Sequence, residues 1–403
     1  MTTATSELAD LILSEHESLT AIRRDLHAHP ELGYAESRTS EAIQRELAAA
    51  GVEFKAGYAD GTGVVAFIPA TVERPAATVG LRADIDALPI HEQTGKPWAS
   101  TTEGVMHACG HDGHTTILIG VARALIRTPH RPNNVTLLFQ PAEEGGGGGK
   151  LMCRDGALKG EAGGGLGSPV DRIFGLHNAP DHPFNAVATK GGPLLAATDE
   201  FKITIKGGQA HAAFPHNGRD PVAAACQLVT AFQTITSRNR PPADPMVLSV
   251  TQVHTGFTHN VIPEEAEVSG TLRTVTPETR TMAERRMREI AEHLCRAMEC
   301  EAEIDWHRGY PVTRNDDALA RTVPGVTEIM RLTEPFLGGE DFSYYGEHIP
   351  ACFFMLGTQP AGETNPALLH QPTFDFNDDA IPLGVEMFCR LAMATDTGTG
   401  SAG

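Results

Sequence analysis

Four short apolar runs, Gly63–Ile68, Thr78–Leu81, Val135–Phe139 and Arg172–Leu176, alternate with stretches of helical periodicity, and that alternation leaves few folds open. From Ser6 to about Leu26, apolar residues recur at helical spacing (Leu8, Leu11, Ile12, Leu19, Ile22). A second helix is predicted from about Ser37 to Ala50, with Gly51 suited to end it. Thr115 to Ile126 reads as a helix between two of the runs. Strands alternating with helices predict an α/β domain built on a mostly parallel sheet.

The pattern changes near Thr189. Phe201–Lys206 alternates apolar and polar residues as a half-exposed strand does, and a helix follows from about Asp220 to Ser237, opened by Asp-Pro. Strands at Met246–Val253 and Glu265–Arg273, a helix from Pro277 to Met298 and a strand-like tail to Ile304 complete this stretch. Strand, helix, two strands, helix, strand is the order of a compact α+β, ferredoxin-like unit. A chain of 403 residues exceeds one ordinary core, so it divides into a domain formed by 1–187 and 307–403 and an inserted domain spanning 188–306. In the last part, Ala351–Leu356 reads as a buried strand and Asp379–Ala394 as a closing helix.

The balance of 32 basic against 51 acidic residues, a formal net charge of -19, argues against a nucleic-acid partner, which needs a basic stripe. No run approaches the roughly 18 consecutive apolar residues of a membrane span. The opening residues, Met1 to Glu7, lack a basic stretch followed by an apolar one, so no signal peptide is expected. Seven scattered cysteines, none in a CxxC pair, predict a reducing compartment and a cytoplasmic protein.

Four segments concentrate side chains that bind metals, and most follow directly on an apolar run. They are Arg82-Ala-Asp84-Ile-Asp86, Glu143-Glu144, His177, and Met106-His107-Ala-Cys109-Gly-His111-Asp112-Gly-His114. The C-terminal edge of an α/β sheet is where ligands bind. Each piece alone has an ordinary explanation: a satisfied buried histidine, a solvated acidic pair, an inert core cysteine. Together at neighbouring strand ends they require a metal or mutual pairing to offset their burial. A structural zinc site favours several closely spaced cysteines; one Cys among several His and carboxylates suits an open, catalytic site. The helix after Cys109 is expected to lower the pKa of its thiol. Two adjacent glutamates point in different directions, so one can bind metal while the other stays free as a general base.

The segments Arg24–Leu32, Leu81–Pro89, Met106–His111 and Phe139–Gly145 resemble the M20 metallopeptidase family, more narrowly its aminoacylase, hippurate hydrolase and auxin-conjugate amidohydrolase branch. Gly175–Asn178, Gly207–His211, Asn260–Pro263, Gly339–Phe342 and Leu369–Gln371 extend the likeness over nearly the whole chain. The resemblance implies a binuclear site for two divalent ions (zinc, manganese, cobalt or nickel) on Cys109, His111, Glu144, His177 and His370, with Cys109 in place of a bridging carboxylate. It implies Glu143 as general base and Asp84 as the carboxylate that orients a ligand histidine. It also implies that His211 and Asn260, from the inserted domain, bind the substrate carbonyl or carboxylate, with Arg273 a further contact to the carboxylate.

The implied reaction is metal-dependent hydrolysis of the amide bond of small N-acyl or N-aroyl amino acids. The inserted domain would serve as a lid and mediate a homo-oligomer, a dimer or dimer of dimers. Dipeptidase or carboxypeptidase activity, carbamoyl amino acid hydrolysis, aromatic deamination and a non-catalytic conjugate-binding role are the alternatives. His107 or His114 can replace His111 as ligand, and His216 can share the work of His211. The run Gly145–Gly149 is either a close backbone approach or a flexible turn. His27 and His29 lie in a shared motif without assignable chemistry, consistent with fixing the first helix against the sheet.

Overall fold

The computed structural model describes residues 3–324 and 334–395. Two compact units emerge. One comprises Met1–Leu194, Arg314–Thr333 and Asp341–Gly403; the other comprises Leu195–Thr313 and Glu334–Glu340. The divisions fall at Leu195 and Thr313 rather than at 188 and 306, for a local reason at each end. Val187–Ala188 pairs with the strand Ala351–Gly357, and Thr189 Oγ1 donates to the Phe353 carbonyl, which ties these residues to the first unit's sheet. Trp306–Arg308 instead continues a strand paired with Ala197–Lys206 in the second unit.

The first unit holds a seven-stranded sheet in the order Glu53–Tyr58, Gly63–Ile68, Asn134–Gln140, Thr78–Asp84, Arg172–Ala179, Ala351–Gly357, Val187–Ala188. Its four central strands, from Asn134–Gln140 to Ala351–Gly357, are mutually parallel, and the three outer strands pair antiparallel. Thr78–Asp84 and Ala351–Gly357 are buried at every position. A strand covered on both faces loses the alternation of a half-exposed one, which is why these segments read as continuous apolar runs. Leu81, Phe174 and Phe354 share one core with Ile117, Val121, Ile381 and Phe388 from the helices His111–Arg127 and Ile381–Met393. Each such side chain contributes about 1.5–3 kcal/mol of transfer free energy. Parallel strands place their C-terminal ends on one edge, with Asp84 opposite Gln140 and His177 opposite Met355. The polar segments that follow these strands therefore emerge together.

The second unit is a four-stranded antiparallel sheet in the order Met246–Thr255, Glu265–Thr274, Ala197–Lys206, Glu301–Arg308. The helices Pro221–Thr234 and Pro277–Ala297 pack on it through Leu228, Phe232 and Met287 against Phe201, Ile203, Val268 and Leu272. This is the ferredoxin-like order expected from the pattern. Both helices start as their sequences suggest, with proline in the first turn and a side-chain cap. Asp220 accepts from Val222 and Ala223 N–H, and Thr276 accepts from Thr279 N–H. No described helix is long and apolar enough to cross a membrane.

Candidate metal centre

Gly110, at φ 90, turns the chain into the helix His111–Arg127 and brings Cys109 against the strand end carrying His177. A Cβ at Gly110 would fall 2.4 Å from Asn178 Oδ1, so the approach needs glycine. Cys109 Sγ then lies 3.3 Å from His177 Nε2. His177 Nδ1 donates to the Asn178 carbonyl at 2.8 Å, which leaves Nε2 with its lone pair facing the thiol. Burial, reinforced by His114, pushes the His177 pKa down to about 3 and keeps the ring neutral, as a ligand must be.

His111 Nδ1 lies 3.2 Å from Asp86 Oδ1, and its Nε2 is buried with no hydrogen-bond partner. The other oxygen of Asp86 accepts the Glu144 N–H at 2.9 Å, so one carboxylate positions two of the expected donors. Glu144 Oε1 is also buried without a well-formed hydrogen bond; His370 Nε2 stands 3.3 Å away. Burial would raise the Glu144 carboxyl, but His370 and His111 outweigh it and hold it below the usual range. His370 adopts φ +64, a left-handed conformation uncommon for a non-glycine residue, and its N–H donates to the Ala108 carbonyl. Glu143, buried beside these groups, accepts the Asp341 N–H at 3.3 Å through Oε1.

Cys109 thus belongs to two donor sets, one with His111 and His177 and one with Glu144 and His370, while His111, Glu143 and Glu144 form a third. In each set the ligand atoms lie within 4.8 Å of one another. Two buried atoms without a hydrogen bond, His111 Nε2 and Glu144 Oε1 (the latter faced by His370 at 3.3 Å), fit a divalent cation: burial of such atoms is expensive, and metal coordination removes the penalty. One thiol with imidazoles and a carboxylate suits zinc, manganese, cobalt or nickel.

Several expectations change at this level of detail. The thiol of Cys109 is pushed up, not down: burial outweighs the nearby His111, and Glu144 and Glu143 add to the rise. A thiolate here therefore needs a cation to form. Asp84 makes its short bond, 2.6 Å, to His114 Nδ1 and lies 3.7 Å from His111 Nε2, whereas Asp86 holds His111 Nδ1. The other nitrogen of His114 faces Asn178 at 2.7 Å, so both its ring nitrogens are engaged. His107 is buried with both ring nitrogens unpaired, and it joins none of the donor sets among the described residues. The glycine run makes a close backbone approach: Gly145 and Gly147 take φ 86 and 69, and a Cβ on Gly148 would sit 1.7 Å from the Pro141 carbonyl oxygen.

In the second unit, Val261 pairs with His211, and Ala212 N–H donates to the Asn260 carbonyl, so His211 and Asn260 lie side by side. His211 Nδ1 accepts the Ala213 N–H, which assigns the proton of the neutral ring to Nε2. Asn260 Oδ1 accepts from Thr258, leaving Nδ2 as the donor end. His216 is exposed in the turn that follows. Arg273 lies on the strand Glu265–Thr274 and directs its guanidinium to Thr271 Oγ1 and the Leu272 carbonyl.

A mixed sheet with a parallel centre, whose strand ends gather a thiol, imidazoles and carboxylates, defines a metal-dependent hydrolase with an inserted α+β unit. The chain belongs to peptidase family M20/M25/M40, whose sequence profile matches residues 80–394. It is 41% identical over 370 residues to an N-acetyl-L-cysteine deacetylase of Bacillus subtilis, covering 91% of this chain and 85% of that one. Thermostable carboxypeptidase 1 of Saccharolobus solfataricus is 36% identical over 380 residues, covering 92% and 94%. Among solved structures, a Bacillus subtilis dinuclear metal-binding peptidase from the M20 family superposes with TM-score 0.79 at 36% identity, covering 94% of this chain and 98% of that one.

Proposed function

We propose that this chain hydrolyses the amide bond of small N-acyl amino acids, releasing a carboxylic acid and a free amino acid. The observation that carries the reading is the position of Cys109 in two donor sets, with the Glu143 carboxylate beside both. Cys109, His111, Glu144, His177 and His370 hold two divalent ions, which when bound polarise the amide carbonyl and acidify water. Glu143 takes the proton from the attacking water and hands it to the leaving nitrogen. His211 Nε2–H and Asn260 Nδ2–H stabilise the oxygen on which charge develops or hold the substrate carboxylate, and Arg273 is a further candidate contact to that carboxylate. Deacetylation of N-acetylcysteine and carboxypeptidase cleavage, the reactions named for two relatives, both break an acyl bond to the nitrogen of an amino acid with a free carboxylate.

The inserted unit acts as a lid and assembles the chain into a homo-oligomer. The protein works in the cytoplasm, in keeping with seven cysteines that are all free. The substrate class is tested with a panel of N-acetyl, N-benzoyl, indole-acetyl and N-carbamoyl amino acids and dipeptides, with products identified. Release of a free amino acid and a carboxylic acid, fastest from an N-acyl amino acid, supports the reading. Ammonia and carbon dioxide from the carbamoyl member alone, or no turnover at all, refutes it.

A further inference from the structure

The segment from Arg23 to Glu36 supplies none of the five expected metal donors and lies before the residues matched by the family profile. It nevertheless grips three of the chain segments that carry those donors. Arg23 is fully buried. Its Nε donates to Asp378 Oδ1 at 2.7 Å, its Nη1 to Asp375 Oδ1 at 2.8 Å and to Asp112 Oδ2 at 3.4 Å, and its Nη2 to the Phe376 carbonyl at 3.2 Å. Asp112 directly follows His111, and its Oδ2 also takes His27 Nδ1 at 2.8 Å. Asp375, Phe376 and Asp378 lie on the loop that leaves His370. One planar guanidinium therefore joins the Cys109–His111 loop to the His370 loop, in a fork geometry that an ammonium does not reproduce.

At the other end of the segment, Glu36 is fully buried; Oε1 accepts the Ala142 N–H at 2.9 Å and Oε2 accepts from Thr62 Oγ1 at 2.8 Å. Ala142 sits at φ 53, a left-handed conformation that disfavours a side chain, and it immediately precedes Glu143. Tyr34 donates its hydroxyl to the Gly146 carbonyl at 2.6 Å, on the far side of the glutamate pair. The strained turn is thus held from both sides by a segment more than a hundred residues earlier.

We propose that Arg23 and Glu36 are positioning residues for the metal centre: Arg23 sets the spacing between the Cys109–His111 loop and the His370 loop, and Glu36 fixes the turn that presents Glu143 and Glu144. The inference rests on the metal centre proposed above. Burying a charged side chain is expensive, and packing alone would be served by an apolar one; a fork that ties two donor-bearing loops together adds geometric control.

The test uses full-length Arg23→Lys, Glu36→Ala and Glu36→Gln proteins. Zinc and cobalt affinity are measured by chelator competition, the cobalt absorption spectrum is recorded, and kcat and KM are measured at saturating metal. Arg23→Lys is expected to weaken metal binding by about 10–100-fold, the range for groups that orient ligands, and to alter the cobalt spectrum. Glu36→Ala is expected to lower kcat by about 100-fold with KM little changed. Glu36→Gln keeps an oxygen for the Ala142 N–H and an N–H for Thr62, and returns toward wild type. If Arg23→Lys does not fold, Asp375→Ala, which removes one acceptor at the partly exposed edge of the cluster, is expected to weaken metal binding in the same direction. Folded variants with wild-type metal affinity, cobalt spectrum and kcat overturn the proposal alone. A wild-type protein that binds no metal overturns it together with the metal centre.

Discussion

Asp86 stands 3.2 Å from His111 Nδ1 and holds a proton on that nitrogen, so Nε2 is the atom left for a metal. Replacing Asp86 with Asn places an N–H or a weaker acceptor against Nδ1 and favours the opposite tautomer. The same change disturbs the acceptor for the Glu144 N–H. Asp86→Asn is therefore expected to weaken metal binding by about 10–100-fold, read by chelator competition on the folded protein. Wild-type affinity would show that His111 is oriented by other contacts.

The roles proposed for Glu143 and Glu144 are separable by substitution. Glu143→Gln keeps the shape of the side chain but cannot accept a proton, so turnover should fall by about 10²–10⁴-fold with metal content unchanged. Elemental analysis beside a steady-state assay checks both halves. Retained activity would remove Glu143 from the mechanism.

Cys109 makes a proton-counting prediction. Its thiol is pushed well above the usual range by burial, with Glu144 and Glu143 adding to the effect, so the chelated enzyme holds it as S–H at neutral pH. Metal binding must expel that proton. In weak buffer, titrating zinc into chelated wild type should release more protons than titrating Cys109→Ser, and the variant should bind less metal. Equal proton release and equal occupancy would exclude the sulfur as a ligand.

Much of the centre was legible in the sequence because parallel strands deliver their C-terminal ends to one edge: Glu143 and Glu144 follow the strand Asn134–Gln140, and His177 lies near the end of Arg172–Ala179, on the far side of Thr78–Asp84. The division of labour between Asp84 and Asp86 was not legible. Two carboxylates two residues apart at a strand end share a face, and only the placement of His111 and His114 tells them apart. The Cys109 thiol was misjudged because a helix N-terminus acts through partial charges, whereas full burial acts on the whole thiolate. Arg23 and Glu36 were unreadable for a different reason: their partners lie 26 to 355 residues away and belong to no local pattern.

His27 gives the stability a pH dependence of defined sign. Burial alone would lower its pKa, but Asp112 and Glu92 outweigh burial and raise it to about 9. A raised folded-state value stabilises the protein fully below the ordinary histidine range and loses that contribution as pH climbs through about 9. Thermal unfolding of the chelated protein between about pH 6 and about pH 10 should show wild type losing its advantage over His27→Gln on the alkaline side. A constant difference in Tm across that range would contradict the buried ion pair.

Whether the thiol-centred donor sets form a working two-metal amidohydrolase site is decided by titrating chelated enzyme with zinc, manganese, cobalt or nickel while following bound metal and hydrolysis of an N-acetyl amino acid together. Chelated enzyme should show no turnover, and titration should saturate at two ions per chain and restore release of the free amino acid. Undiminished hydrolysis after chelation, or saturation without any restored turnover on the substrate panel, would contradict such a site.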